Sequence, residues 1–300
     1  MPTPNETFDT IVVGGSYAGL SAALQLARAR RRVLVVDAGQ RRNRFARDSH
    51  GFLGRDGQPA AAIADAGRRD VAAYPNVSWH LGSALDAQPD ADGFRVELDG
   101  AQAVHGRRLV LATGVRDELP AVPGLAERWG RSIFHCPYCH GYELQGGDIG
   151  ILANSELAFH QAMMLPDWGR VTLFTNGRFE PDEEQRAAMA QRGVAAIEET
   201  LVARIEDAAT VVLADGRRFP MAGLFTYGRT HMASPLAERL GCAFEEGPMG
   251  RFIRTDDRKQ TSVPGVYAGG DAARAAGNVA IAVADGAMAG TGAHQSLMFG

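Results

Sequence analysis

A strand, a glycine turn, a helix, a second strand and an acid follow one another within residues 8–37, and this run constrains the fold more than any other. Residues 8–13 (Phe-Asp-Thr-Ile-Val-Val) have the apolar character of a buried strand. Gly14-Gly15-Ser16-Tyr17-Ala18-Gly19 follows, then a helical run over 20–29 and a strand over 33–36 that ends at Asp37. This is the layout of the opening βαβ unit of a dinucleotide-binding fold. Glycines let the turn approach a pyrophosphate, while the helix N-terminus offers orphan N–H donors and a positive dipole end. Asp37, 18 residues past Gly19, is placed to accept from ribose hydroxyls. Ser16 stands where the fingerprint usually has its middle glycine. An ordinary glycine turn is the competing reading; the position between strand and helix, with the acid downstream, favours a nucleotide site.

Bulk properties narrow the classes. Three hundred residues, 45% of them hydrophobic and 22% charged, suit a globular chain of two domains. The 31 basic and 35 acidic side chains leave a net charge of −4, so nucleic acid is not an expected partner. Lys259 is the only lysine, which excludes a P-loop and restricts any Schiff base to that one residue. Glycine accounts for 36 residues without a collagen-like period, so the excess belongs in turns and close backbone approaches. No uninterrupted apolar run reaches 18 residues, and Glu6 and Asp9 at the first strand do not suit a signal peptide. The expectation is a cytoplasmic protein with no membrane partner. Of three cysteines, Cys136 and Cys139 form a Cys-x-x-Cys. In a reducing compartment that pair is catalytic or metal-binding before it is a structural staple.

Further landmarks follow. Arg41-Arg42-Asn43-Arg44 reads either as a solvated loop or as a clamp on cofactor phosphates. Residues 108–114 form another buried strand, ending in Ala112-Thr113-Gly114, and residues 264–271 repeat the theme with Gly269-Gly270-Asp271. A small-residue helix over 278–295 opens with Asn278-Val279-Ala280, small enough to press against a planar cofactor. A second βαβ pattern begins at Asp148, with a strand over 149–153, a helix over 156–165 and a strand over 171–174. With hinges at 115–119 and 225–228, the chain is expected to be α/β with two dinucleotide-binding (Rossmann-like) domains. The first is discontinuous (1–116 and 226–300), and a smaller inserted domain (117–225) carries the Cys-x-x-Cys.

Taken in order, the Gly14–Asp37 unit, Leu111-Ala112-Thr113-Gly114, Cys136-Pro137-Tyr138-Cys139 and Gly269-Gly270-Asp271 resemble the low-molecular-weight thioredoxin reductase family across essentially the whole chain. The stretch Cys136-Pro137-Tyr138-Cys139-His140-Gly141-Tyr142-Glu143 is most similar to its FAD-dependent dithiol oxidase branch, which closes disulfides in natural products such as gliotoxin and holomycin. The resemblance implies a homodimer with FAD in the first domain and the dithiol in the second, facing the flavin. It implies that Gly14, Gly15, Ser16 and Gly19 hold the FAD pyrophosphate, with Asp37 on the adenosine ribose. Ala112, Thr113 and Gly114 also belong to that site. Gly270 and Asp271 would meet the ribityl chain, and Asn278, Val279 and Ala280 the pyrimidine edge, where a helix N-terminus stabilises reduced flavin. Cys136 would exchange with substrate and Cys139 would be the flavin-side sulfur. His140 stands where many relatives have an acid/base aspartate, and an imidazole titrating near neutrality suits proton exchange with a thiol. A passive surface histidine is the plainer reading. A zinc site built on His135, Cys136, Cys139 and His140 is disfavoured, because each histidine neighbours a cysteine and no second Cys-x-x-Cys exists. Cys242 reads as a small buried hydrophobe.

The second domain departs from the NADPH-using pattern. Its first strand runs into Ile151-Leu152-Ala153-Asn154-Ser155-Glu156 without glycines, with bulky Leu152 and the carboxylate of Glu156 where a phosphate would sit. Arg178 is followed by Glu180, Asp182, Glu183 and Glu184, which repel phosphate. The expected function is an FAD-dependent thiol–disulfide oxidoreductase working on a small dithiol, a disulfide or a thioredoxin-like protein, without NADPH. An NADPH-dependent thioredoxin reductase, a ferredoxin-type-donor reductase and a non-catalytic flavin redox sensor are the alternatives.

Overall fold

A computed structural model describes residues 6–100 and 103–299. They divide into two compact units: one built from residues up to Arg42, Pro59–Arg116 and Thr230 onward, the other from Asn43–Gln58 and Asp117–Arg229.

In the first unit Thr7–Val13 is flanked in parallel by Val33–Asp37, with Val12 beside Val35, and by Val104–Leu111, with Val13 beside Leu111. Val77–Leu81 extends the sheet on one side, and Val266–Ala268 joins Val104–Leu111 on the other. Gly93–Leu98 and Ala84–Asp90 add an antiparallel extension. The unbroken apolar run 33–36 is buried on both faces, as a parallel sheet covered by helices requires. Helix Tyr17–Arg28 starts three residues before the expected position, with Gly19 inside its first turn. The last helix, Val279–Phe299, crosses it closely. A Cβ at Gly286 or Gly290 would run into the backbone of Ala18 or Ala22, and Ser21 Oγ donates to the Val283 carbonyl at 2.7 Å. The small residues of this helix therefore serve helix–helix approach. The parallel strands bring Val13, Asp37, Leu111 and Ala268 to one sheet edge, where open α/β sheets bind ligands.

The second unit has five parallel strands in the order Ile133–Phe134, Gly223–Phe225, Asp148–Leu152, Arg170–Phe174, Ala196–Glu198. Helices Leu157–Met164 and Glu183–Arg192 connect them, the latter closed by a capping box between Asp182 and Gln185. A three-stranded antiparallel ribbon spans Val202–Glu206, Thr210–Leu213 and Arg218–Pro220. Residues 43–58 and 226–229 were expected with the first domain and belong instead to this unit. For the former the reason is packing: Phe45 lies against Gly130, and His50 pairs with Glu143. Among the described residues no helix is long and apolar enough to cross a membrane.

Candidate active site

In the first unit the glycine turn is bare because its neighbours demand it. Gly14 has φ +109°, and a Cβ there would strike the Ala112 carbonyl. A Cβ on Gly15 would sit 2.5 Å from the Asp37 side chain, and one on Gly19 would overlap the Gly14 carbonyl. Ser16 occupies the N-cap with no side-chain hydrogen bond, and no acid stands in the first turn. The orphan N–H groups of that turn thus face a backbone-lined loop without a capping side chain. Asp37 accepts from the Gly39 N–H at 2.9 Å and pairs with Arg68 at 3.3 Å, whose guanidinium lies over Trp79. Beside them is a cavity of about 290 Å³ lined by Arg68, Trp79, His80 and Leu81.

The remaining residues of the same unit complete this edge. Ala112 donates its N–H to the Val13 carbonyl and leads through Thr113 into Gly114 at φ +67°. Gly270, at φ +72°, packs on Ala18. Asp271 pairs with Arg42 at 3.0 Å, so one arginine of the basic run is engaged rather than solvated. Asn278 caps the last helix through Oδ1, accepting from Ile281 at 2.9 Å, with Val279 and Ala280 half-buried in its first turn. These residues fit a dinucleotide: an uncapped helix start behind bare glycines, and an acid behind the turn. Nearby, Lys259 is mostly buried with its Nζ 2.8 Å from Asp285, which Arg274 grips in bidentate fashion. Burial opposes ionisation of Asp285, yet the two cations outweigh it and hold its carboxyl below the usual range. The lone lysine is an ion-pair partner, not a Schiff-base candidate.

In the second unit Cys136 and Cys139 are joined as a disulfide with Cα atoms 5.3 Å apart. Cys136 is the N-cap of the short helix Pro137–His140, with Pro137 at the first helical position. Tyr138 is exposed and meets Trp168 edge-on at 5.3 Å. His140 departs from expectation. Its ring stacks on Phe134 with centroids 4.1 Å apart, and burial, helped by the charges of His135 and His50, pushes its pKa down to about 4. It does not titrate near neutrality. His50, from a segment far upstream, stands 3.3 Å from Glu143. No sequence signal marks His50, because the pairing is made by tertiary packing alone. Cys242 is buried, and burial pushes its thiol pKa up.

At the second unit's own βα turn, Leu152 faces the core beside Phe174 and Leu224. Its bulk is not an obstruction at the turn, which corrects that part of the expectation. The helix start after it is closed instead: Ser155 Oγ accepts from the Leu157 N–H, and Glu156 is exposed at the N-cap. Asn154 is tied to the Tyr227 carbonyl, and Asn176 Oδ1 accepts from Val202.

Comparison with known proteins agrees with this arrangement. Residues 8–286 match the model of the pyridine nucleotide-disulphide oxidoreductase family. The thioredoxin reductase tcpT of Claviceps purpurea (strain 20.1) is 34% identical, over 97% of this chain and 94% of its own length. The thioredoxin reductase sirT of Leptosphaeria maculans is 32% identical over 98% and 95%. Among solved structures, an oxidoreductase from Agrobacterium tumefaciens is 55% identical with a TM-score of 0.95, covering 98% of this chain and 99% of that one. HlmI is 37% identical with a TM-score of 0.90, covering 99% and 95%. The chain therefore belongs to the pyridine nucleotide-disulphide oxidoreductase family, as a thioredoxin reductase-like thiol–disulfide oxidoreductase with a flavoprotein fold, for which the family implies FAD.

Proposed function

We propose that the protein is an FAD-dependent dithiol oxidase that works without NADPH. One contrast carries the reading. The helix start behind Gly14–Gly19 has Ser16 at its N-cap and no acid, whereas at the equivalent start behind Leu152 the first helical N–H, that of Leu157, is taken by Ser155 Oγ and Glu156 stands at the N-cap. The first can accept a pyrophosphate; the second presents a carboxylate and a satisfied N–H. The acid-rich stretch Glu180, Asp182, Glu183, Glu184 is fully on the surface and adds to the repulsion. Gly14, Gly15, Ser16, Gly19, Asp37, Ala112, Thr113, Gly114, Gly270, Asp271, Asn278, Val279 and Ala280 would hold the FAD, which supplies a two-electron store that oxygen or another acceptor can empty.

At the disulfide, a substrate thiol gives up its proton as its sulfur attacks Cys136 and expels Cys139 as thiolate. The second substrate thiol then attacks the mixed disulfide, leaving oxidised substrate and a reduced pair. Exposed Tyr138, Tyr142 and Leu53 in the same unit favour a small apolar dithiol over a polar one. A homodimer is part of this reading.

Anaerobic reduction of the bound flavin tests it, with NADPH, NADH and dithiothreitol as donors. The dithiol should bleach the flavin far faster than either nucleotide. Rapid bleaching by micromolar NADPH would overturn the reading and promote an NADPH-dependent reductase.

A further inference from the structure

The geometry points to the His50–Glu143 pair as the proton acceptor for the substrate thiol that opens the Cys136–Cys139 disulfide, an inference that rests on the dithiol reading above. By sequence position His140 is the natural base, next to Cys139. Its ring, however, lies flat on Phe134, and its buried Nδ1 has no hydrogen-bond partner among the described residues. A ring so placed has nothing to share a positive charge with, and burial with two neighbouring histidines keeps it neutral above about pH 4.

His50 has what His140 lacks. Its Nδ1 lies 3.3 Å from Glu143 Oε1 and 3.7 Å from Asp56 Oδ1, and both carboxylates reach solvent. The two carboxylates beside Nδ1 orient the ring and leave Nε2 as the accepting nitrogen. The segment is braced at the same point. Asp56 Oδ1 accepts from the Gly51 N–H at 2.8 Å, and a Cβ on Gly51 would lie 3.9 Å from the carbonyl of Tyr138, between the two cysteines. Glu143 sits in the turn Tyr142–Leu144 that directly follows the disulfide helix. Glu143 and Asp56 are thus the anions beside His50, and His140, which in turn feels His135, is the ring that feels its charge.

The step balances without any further reagent. The substrate S–H gives its proton to His50 as its sulfur bonds to Cys136. The Cys136–Cys139 bond breaks, and its electron pair leaves on Cys139 as thiolate. The imidazolium then loses the proton to water past Glu143.

The test reads the disulfide itself. Full-length protein with the pair oxidised is mixed anaerobically with dithiothreitol at neutral pH, and new thiols are counted by alkylation and mass spectrometry against time. His50→Ala and His50→Gln should open about 100-fold more slowly than wild type, the range expected for a lost general base. Glu143→Gln should lose less, and His140→Phe least of all. Imidazole added to the buffer should restore much of the His50→Ala rate and leave wild type nearly unaffected, which a purely structural role for His50 would not produce. Wild-type rates in both His50 variants, or a slow His50→Ala that imidazole does not rescue, would overturn the proton-acceptor role. A larger loss in His140→Phe than in His50→Ala would move that role to His140. If dithiothreitol leaves the wild-type disulfide closed, the dithiol reading fails first and the pair loses its task with it.

Discussion

At pH 7 the ring of His140 is neutral, and the chain is destabilised when acid forces a proton onto it. The folded ring takes up a proton near pH 4, the unfolded one near its usual value of 6.5. Between those values the unfolded state binds more protons, so stability rises with pH through this window and is lost as pH falls through it. At 1.36 kcal/mol per pH unit the full loss is at most about 3 kcal/mol. His140→Phe keeps the stack on Phe134 and removes the titration. It should match wild type at pH 7 and lose less stability by pH 4.5, measured by urea unfolding with the disulfide intact. Equal acid sensitivity in the two would refute this. Cys136, Cys139 and Asp37 were legible as candidate site residues because each belongs to a spaced local pattern. The ionisation of His140 was not, because it depends on Phe134, His135 and His50 closing over the ring.

Two strand–helix junctions share a plan and differ in their termini. In the first, Gly19 lies inside the helix, and its missing Cβ lets the Gly14 carbonyl come into contact. Gly19→Val should cost about 3 kcal/mol, the upper part of the usual overpacking range, because the Gly14 carbonyl it meets is backbone. It should also purify with little flavin, read from visible absorbance together with the melting temperature. Wild-type flavin content and melting temperature in this variant would mean the junction is not the cofactor turn. The second junction has no such constraint, and its first helical N–H, that of Leu157, is taken by Ser155 Oγ. Strand and helix identities were readable from hydrophobic runs and glycines. Their exact ends were not: the helix expected over 20–29 begins at Tyr17, because Gly19 looks like a breaker until its packing is seen.

The whole chain should carry one FAD, and heat-released extract of the purified protein should contain FAD rather than FMN, as chromatography against standards would show. FMN, or no flavin, would refute the cofactor assignment, since the Gly14–Gly19 turn and Asp37 together suit a dinucleotide. The α/β class with two Rossmann-like sheets, the Gly14–Gly19 turn and the Cys136–Cys139 pair were all written in short stretches of sequence, because strand runs, glycine turns and Cys-x-x-Cys are local in nature. Long-range packing alone decided the rest. It brought residues 43–58 into the second unit and His50 to Glu143. It paired Arg42 with Asp271 and buried Lys259 on Asp285. Each of these joins charges that lie far apart along the chain, and a pairing whose partner is chosen by burial leaves no periodic trace in the residues around it.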